Sequence, residues 1–162
     1  MNVAIHPSPV GPLTLVSADG QLIGCYFANT EFAQQQRAKQ RNAPSATDAV
    51  LTLARRELNE YFAGSLTKFS VPIALHGTDF QCQVWRALRS IPFGETASYG
   101  EIAKRLGRPK AVRAVGGANG QNPICIFVPC HRVIGASGAL TGFGGGLERK
   151  RYLLALERAR SA

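Results

Sequence analysis

The sequence predicts an α+β fold. A small unit of β-sheet with one helix over residues 1–75 is followed by a mainly helical unit over 76–162, which holds a helix-turn-helix and a buried turn bearing Cys130. Three observations predict it. Strand-like apolar runs separated by turn residues are confined to the first part. Two helix-capping signatures, Thr78 with Gln81 and Ser98 with Glu101, open apolar-periodic stretches in the second. A continuous apolar run, Ile124–Val128, is then stopped by Pro129 directly before Cys130 and His131.

Element by element, Pro12–Ser17 and Gln21–Phe27 read as strands joined through Ala18-Asp19-Gly20, a hairpin turn. Residues Thr30–Pro44 are polar and rich in Gln and Arg, which suits a surface connection or a short exposed helix. A helix is expected from about Ser45 to Phe62, with Val50, Leu51, Ala54, Leu58, Tyr61 and Phe62 on one face and Gly64 as the stop. Phe69–Leu75 alternates and reads as another strand. In the second part, Phe80, Val84, Trp85, Leu88 and Ile91 form the stripe of a helix ended by Pro92 and Gly94. A short helix over Tyr99–Leu106 stops at Gly107, and another follows over about Lys110–Ala118, ended by Gly120. Two short helices about a Gly-containing turn have helix-turn-helix proportions. A final helix is expected over about Leu147–Arg158, with Tyr152, Leu153 and Leu156 inward and Arg149, Lys150, Arg151 and Arg158 in solvent.

Composition narrows the function classes. Of the residues, 45% are hydrophobic and 18% charged, the profile of a folded soluble chain rather than a disordered one. The apolar runs are too short to span a bilayer, and Met1–Gly11 lacks the pattern of a signal peptide, so no membrane association and a cytoplasmic location are expected. The 19 Lys and Arg against 10 Asp and Glu leave a net charge of +9, which suits a polyanionic partner as well as it suits an ordinary basic protein. The basic residues, mostly Arg, concentrate after position 85, which makes the later half the candidate binding half. Cys25, Cys82, Cys125 and Cys130 fit no paired Cys-x-x-Cys zinc spacing, and Cys25 and His76 stand isolated, so no metal is expected.

The stretch Asn122–Ile134 carries the chemistry. The chain must turn at Pro129 and there presents Cys130 beside His131. A thiol is a weak nucleophile until it loses its proton, at a reference pKa of about 8.5. A neighbouring imidazole can take that proton, and a carboxylate behind the imidazole can stabilise the charge that results. An isolated Cys-His pair is more often structural; its position between a proline and Arg132, at the mouth of a buried segment, favours chemistry.

Pro129-Cys130-His131-Arg132-Val133 resembles the active-site signature of the O6-alkylguanine-DNA alkyltransferases, the methylated-DNA–protein-cysteine methyltransferases. The likeness extends through Phe93-Gly94, Ser98–Ala103, Arg113–Ala118, Asn122–Ile134 and Leu140–Gly146 to Leu153–Glu157, in the family's order and spacing, and more loosely through Ser8–Leu13. The resemblance implies repair of DNA by irreversible, stoichiometric transfer of the alkyl group of O6-methylguanine, with O4-methylthymine as a second expected lesion, to Cys130. It implies His131 as a base acting through a water, Glu157 behind it, and Asn122 organising the turn. It implies that Tyr99 contacts the flipped guanine and its phosphate, that Arg113 fills the gap left in the base stack, and that the small Ala114, Gly116, Gly117 and Ala118 approach the backbone in the minor groove. Asn119, Leu140, Phe143, Gly144 and Gly145 become candidates for the wall of the lesion pocket; where this chain has Phe143, many members carry Tyr. No cofactor is implied. The implied partner is double-stranded DNA containing alkylated bases, met by a monomer, with cooperative binding along DNA left open. Three rivals follow from the same residues: a lesion sensor without transfer, which the presence of Cys130 opposes; a thiol hydrolase; and a transcription regulator built on residues 98–120.

Overall fold

The computed structural model describes residues 1–39, 48–140 and 143–161. It has an N-terminal small-sheet part followed by a helical part, the α+β class expected. The chain divides into two compact units: Met1–Ala74 with Pro123–Cys125, and Leu75–Asn122 with Ile126–Ala162.

The first unit is an antiparallel sheet in the order β1 (Asn2–His6), β2 (Leu13–Ala18), β3 (Gln21–Phe27), with α1 (Glu31–Lys39) and α2 (Ala49–Phe62) packed on it. The β2–β3 connection is the two-residue turn Asp19-Gly20, with φ of 52° and 74°. Positive φ at both positions matches the right-handed twist of the strands they join. The central strand β2 is buried from Leu13 to Ser17. Its apolar residues meet Leu51, Ala54, Leu58 and Tyr61 of α2 in a core that also takes in Ala4, Leu22, Cys25, Phe27 and Val71. Asp48 caps α2, its carboxylate accepting from the Leu51 N–H at 2.9 Å. The helix is described from Ala49; the expected start at Ser45 lies outside the described residues.

Two expectations are corrected here. Phe69–Leu75 forms no strand; a single bridge joins Ile73 to Leu22. Pro72 has no N–H to give a ladder, and Ser70 and Val71 instead donate their N–H groups to the buried Glu57 carboxylate at 2.9–3.0 Å. Strand β1, which sequence periodicity does not flag, pairs in register with β2 from Asn2↔Ser17 to His6↔Leu13. Residues Pro123–Cys125 join this unit from far along the chain. The Cys25 N–H donates to the Pro123 carbonyl at 2.9 Å, and the Cys125 N–H to the Cys25 carbonyl at 3.0 Å.

The second unit comprises α3 (Asp79–Arg89), β4 (Ala97–Ser98), α4 (Tyr99–Arg105), α5 (Val112–Gly120), a 3-10 turn (Cys130–Arg132), β5 (Val133–Ile134) and α6 (Leu147–Ser161). Thr78 and Gln81 make the full reciprocal capping box on α3. The expected stripe buries Val84, Trp85, Leu88 and Ile91. Ser98 caps α4 by accepting from the Glu101 N–H. At the other end, Gly107 takes φ of 72°; its N–H reaches the Lys104 carbonyl, and the Arg108 N–H reaches that of Ala103. This pair of bonds is the left-handed glycine stop that sends the chain from α4 toward α5. The α5 helix holds three glycines and is intrinsically weak. A tertiary hydrogen bond helps to hold it: the buried Trp85 indole donates to the Ala118 carbonyl at 2.8 Å. In α6, two assignments are corrected. Tyr152 points outward at 42% exposure, and Lys150 is fully buried.

Candidate active site

The Cys130 turn is built by its flanks. Ile124 to His131 is buried apart from the half-buried Cys125, as a buried segment should be, but the run is no strand. Ile126 adopts φ of 74°. That is a left-handed conformation rare for a β-branched residue, and it reverses the chain. The Asn122 amide then closes the loop, Nδ2 donating to the Val128 carbonyl at 2.8 Å. The Cys130 N–H donates to that same Val128 carbonyl at 2.8 Å, so the donors from Asn122 and Cys130 converge on one oxygen. The buried Asn119 sends Nδ2 toward the Cys130 carbonyl at 3.4 Å.

Behind the cysteine, His131 is fully buried and its Nε2 lies 2.7 Å from Oε2 of Glu157 on α6. Glu157 is shared. Arg132 donates from Nε to Oε1 at 2.7 Å and from Nη2 to Oε2 at 3.1 Å, while its Nη1 donates to the Ile91 carbonyl at 2.7 Å. Burial alone would raise the Glu157 pKa; the His131 and Arg132 hydrogen bonds and charges outweigh it and hold the carboxyl at about 2. For His131, burial outweighs the attraction of Glu157, and its pKa falls below the ordinary value. The resting pair is thus a carboxylate accepting from the Nε2–H of a neutral imidazole. That leaves Nδ1 as the basic nitrogen, and Nδ1 is buried with no hydrogen-bond partner among the described residues. Cys130 itself is buried, the residue being 3% exposed.

The remaining predicted residues fall as follows. Tyr99, half-buried at the start of α4, lies over Gly116 of α5: a Cβ on that glycine would stand 3.8 Å from the Tyr99 ring. The parallel pairs Ala97↔Val133 and Ser98↔Ile134 fix the start of α4 to the exit of the cysteine turn. Arg113 and Ala114 are exposed on the first turn of α5. Gly144 approaches the Gly120 carbonyl at the end of α5, at 3.9 Å from an added Cβ. Gly145 is buried and its carbonyl accepts from Arg149 at 2.8 Å. Leu140 and Phe143 are half-buried, and Thr141 and Gly142 lie outside the described residues. Among the described residues no group of three or more His, Cys, Asp or Glu could hold a metal ion, and no helix is long and apolar enough to cross a membrane.

Two residues of the site escape motif reasoning. Arg132 is the second cation on Glu157, and the Lys150 ammonium donates to the Val133 carbonyl at 2.6 Å. Helical phase gives the signal for Lys150: positions 150, 153 and 157 share one face of α6, and all three are buried.

Taken together, the fold and this turn define an α+β protein with a helix-turn-helix and one shielded cysteine backed by a His–Glu–Arg cluster. Comparison with known proteins agrees. Residues 1–75 match the model of the 6-O-methylguanine DNA methyltransferase ribonuclease-like domain, and residues 79–159 that of the 6-O-methylguanine DNA methyltransferase DNA binding domain. The methylated-DNA–protein-cysteine methyltransferase of Mycobacterium tuberculosis strain H37Rv is 53% identical over 154 residues, 95% of this chain and 90% of that protein. The protein of the same name from Methanosarcina acetivorans is 48% identical over 160 residues, 97% and 98% of the two chains. The crystal structure of Mycobacterium tuberculosis OGT in complex with DNA superposes with a TM-score of 0.86 at 50% identity, covering 98% of this chain and 93% of that one. The chain belongs to the 6-O-methylguanine DNA methyltransferase family.

Proposed function

We propose that this protein repairs DNA by moving the alkyl group of O6-methylguanine onto Cys130, once per molecule. The single observation that carries the reading is a shielded thiol on a turn whose next residue is a neutral imidazole locked at Nε2 by Glu157. Family membership and a close relative crystallised with DNA point the same way.

In the reaction, the Cys130 sulfur attacks the methyl carbon as the carbon–O6 bond breaks and its electron pair goes to the guanine. The thiol proton passes through a water to His131 Nδ1, which the Nε2–H···Glu157 bond orients. The leaving guanine gains a proton, so the products are a thioether and guanine. The Tyr99 hydroxyl is chemically suited to donate to the departing base. A thioether has no easy way back, so one protein is consumed per lesion. O4-methylthymine offers the same chemistry at a smaller ring.

The lesion is out of reach inside a duplex, so the nucleotide is rotated out. Arg113, exposed on α5, stacks into the space it leaves, and Ala114 and Gly116 let α5 come close to the backbone. Asn122 holds the turn, while Asn119, Leu140, Phe143, Gly144 and Gly145 border the base. On this reading residues 1–75 form the structural domain, and residues 76–162 bind DNA and carry out transfer. The protein works in the cytoplasm as a monomer on duplex DNA with alkylated bases.

The test is a repair titration. Increasing protein is added to a duplex oligonucleotide carrying O6-methylguanine, and repaired strands are counted. Repair is expected to plateau at one lesion per protein, and Cys130→Ala is expected to bind the lesion duplex and repair none. Repeated turnover would instead indicate a hydrolase, and normal repair by Cys130→Ala would move the acceptor elsewhere.

A further inference from the structure

A polar atom buried without a partner is rare, because it has given up its bond to water and gained none in return. Among the described residues of the second unit two side-chain atoms are in this position, His131 Nδ1 and Asn119 Oδ1. His131 Nδ1 takes the proton in the relay above. The Asn119 oxygen has no task there. Asn119 lies near the end of α5 and is 2% exposed. Its Nδ2 stands 3.4 Å from the Cys130 carbonyl. That contact fixes the sense of the amide, since turning it over would set Oδ1 against a second acceptor. Helical phase places Asn119 on one face of α5 with Gly116 and Gly120. The Tyr99 ring lies over Gly116, 3.8 Å from an added Cβ, and a Cβ on Gly144 would stand 3.9 Å from the Gly120 carbonyl. A buried acceptor is therefore held between the positions of Tyr99 and Gly144, beside the backbone of the cysteine that receives the alkyl group.

We propose that Asn119 determines which lesion the site prefers: its Oδ1 accepts a hydrogen bond from the 2-amino group of the alkylated guanine. The inference rests on the alkyl-transfer reading above and adds to it a preference among bases. The chemistry of the bases selects the donor. Methylation at O6 removes the proton from N1, so O6-methylguanine keeps N–H groups only on its exocyclic 2-amino nitrogen. N1, N3 and N7 are acceptors. O4-methylthymine has no N–H at all, because N3 has lost its proton in the same way, and its O2 is one more acceptor. With guanine the buried Asn119 oxygen is satisfied. With thymine it stays unpaired or faces another oxygen. A buried polar group left unpaired is what allows a site to reject an analogue that lacks the matching group. The amide does not adapt by turning over, because the Cys130 carbonyl holds Nδ2 on its own side. Attack by sulfur is the same for both lesions; the hold on the base is not.

The experiment compares three bases in single-stranded oligonucleotides of one sequence, so that no opposite base contributes. They are O6-methylguanine, O6-methylhypoxanthine, which carries hydrogen in place of the 2-amino group, and O4-methylthymine. Single-turnover methyl gain is followed by the mass of the Cys130 peptide in the wild type and in Asn119→Leu, which keeps the shape and removes the acceptor. The wild type is expected to take methyl from O6-methylguanine about tenfold faster than from O6-methylhypoxanthine, the effect of one buried hydrogen bond, and slowest from O4-methylthymine. In Asn119→Leu the guanine rate is expected to fall to that of the hypoxanthine analogue, which itself changes little. A folded Asn119→Leu that keeps the wild-type ratio overturns the proposal. So does equal slowing on all three bases, which would place Asn119 in the proton path or in the framework of the turn. Should Asn119→Leu fail to fold, the wild type alone is decisive against the proposal if it treats guanine and the hypoxanthine analogue equally. No methyl gain from O6-methylguanine by the wild type removes the transfer reading and this inference with it, whereas gain that ignores the 2-amino group removes only the role of Asn119.

Discussion

Glu157 is the residue on which the cluster turns. One buried carboxylate accepts from His131 Nε2 and twice from Arg132. Glu157→Gln leaves the Arg132 charge buried without its partner, a change expected to cost about 3–5 kcal/mol by urea denaturation at neutral pH. Acid should expose the same dependence. The carboxyl is held at about 2 against an ordinary 4.5, so its stabilisation is complete above about pH 4.5 and is lost as pH falls toward 2. His131 adds a window above this. It is kept neutral in the fold, so the unfolded chain binds a proton first and stability begins to fall below about pH 6.5. Urea midpoints measured against pH are expected to decline in both windows for the wild type and to be shallower below pH 4.5 for Glu157→Gln; identical slopes there would contradict the account. At this scale Glu157 was reached only through the family resemblance, whereas Cys130 and His131 are legible in the sequence as a thiol and an imidazole side by side. Lys150 is not, because residue type argues for solvent and only the phase of α6 argues for burial.

The elements that present the site hold their shape by local devices and by one long-range bond. Gly107 sits at φ of 72° with nothing within 4 Å of an added Cβ. Gly107→Ala thus tests backbone conformation alone, with an expected loss of about 1–2 kcal/mol in urea denaturation; an unchanged midpoint would mean that the stop between α4 and α5 does not need glycine. Trp85→Phe removes the indole N–H from the Ala118 carbonyl and is expected to cost about 1–3 kcal/mol, with faster amide exchange along α5 than along α4. Equal exchange in the two helices would show that packing, not this bond, holds α5. Turn and cap chemistry is legible for the same reason that it is local. Asp19-Gly20, Thr78 with Gln81, and Gly107 each act within a few residues of themselves. The strand expected over Phe69–Leu75 depended on a partner that sequence cannot supply, and the Glu57 carboxylate took its N–H groups instead. Ile126 is likewise invisible, because an apolar run gives no sign that one β-branched member will adopt a positive φ.

Across the whole molecule, a net charge of +9 on 162 residues gives any duplex an attraction that depends on salt. Affinity for undamaged DNA is expected to fall steeply as salt rises, by fluorescence anisotropy. Arg113→Ala is expected to weaken repair of duplex lesions far more than repair of the same lesion in a single strand, where no gap needs filling. Equal loss on both substrates would place Arg113 in phosphate binding rather than in the base stack. Fold class was legible at this scale because the apolar period changes along the chain. That Pro123–Cys125 belongs with the first unit was not, since three residues carry no periodicity of their own. The central claim is that one sulfur accepts the alkyl group. The most direct measurement is the mass of the intact protein and of its peptides after incubation with an O6-methylguanine duplex. The account predicts a single methyl group, found on the peptide containing Cys130; an unmodified Cys130 in protein that has repaired the duplex would contradict it.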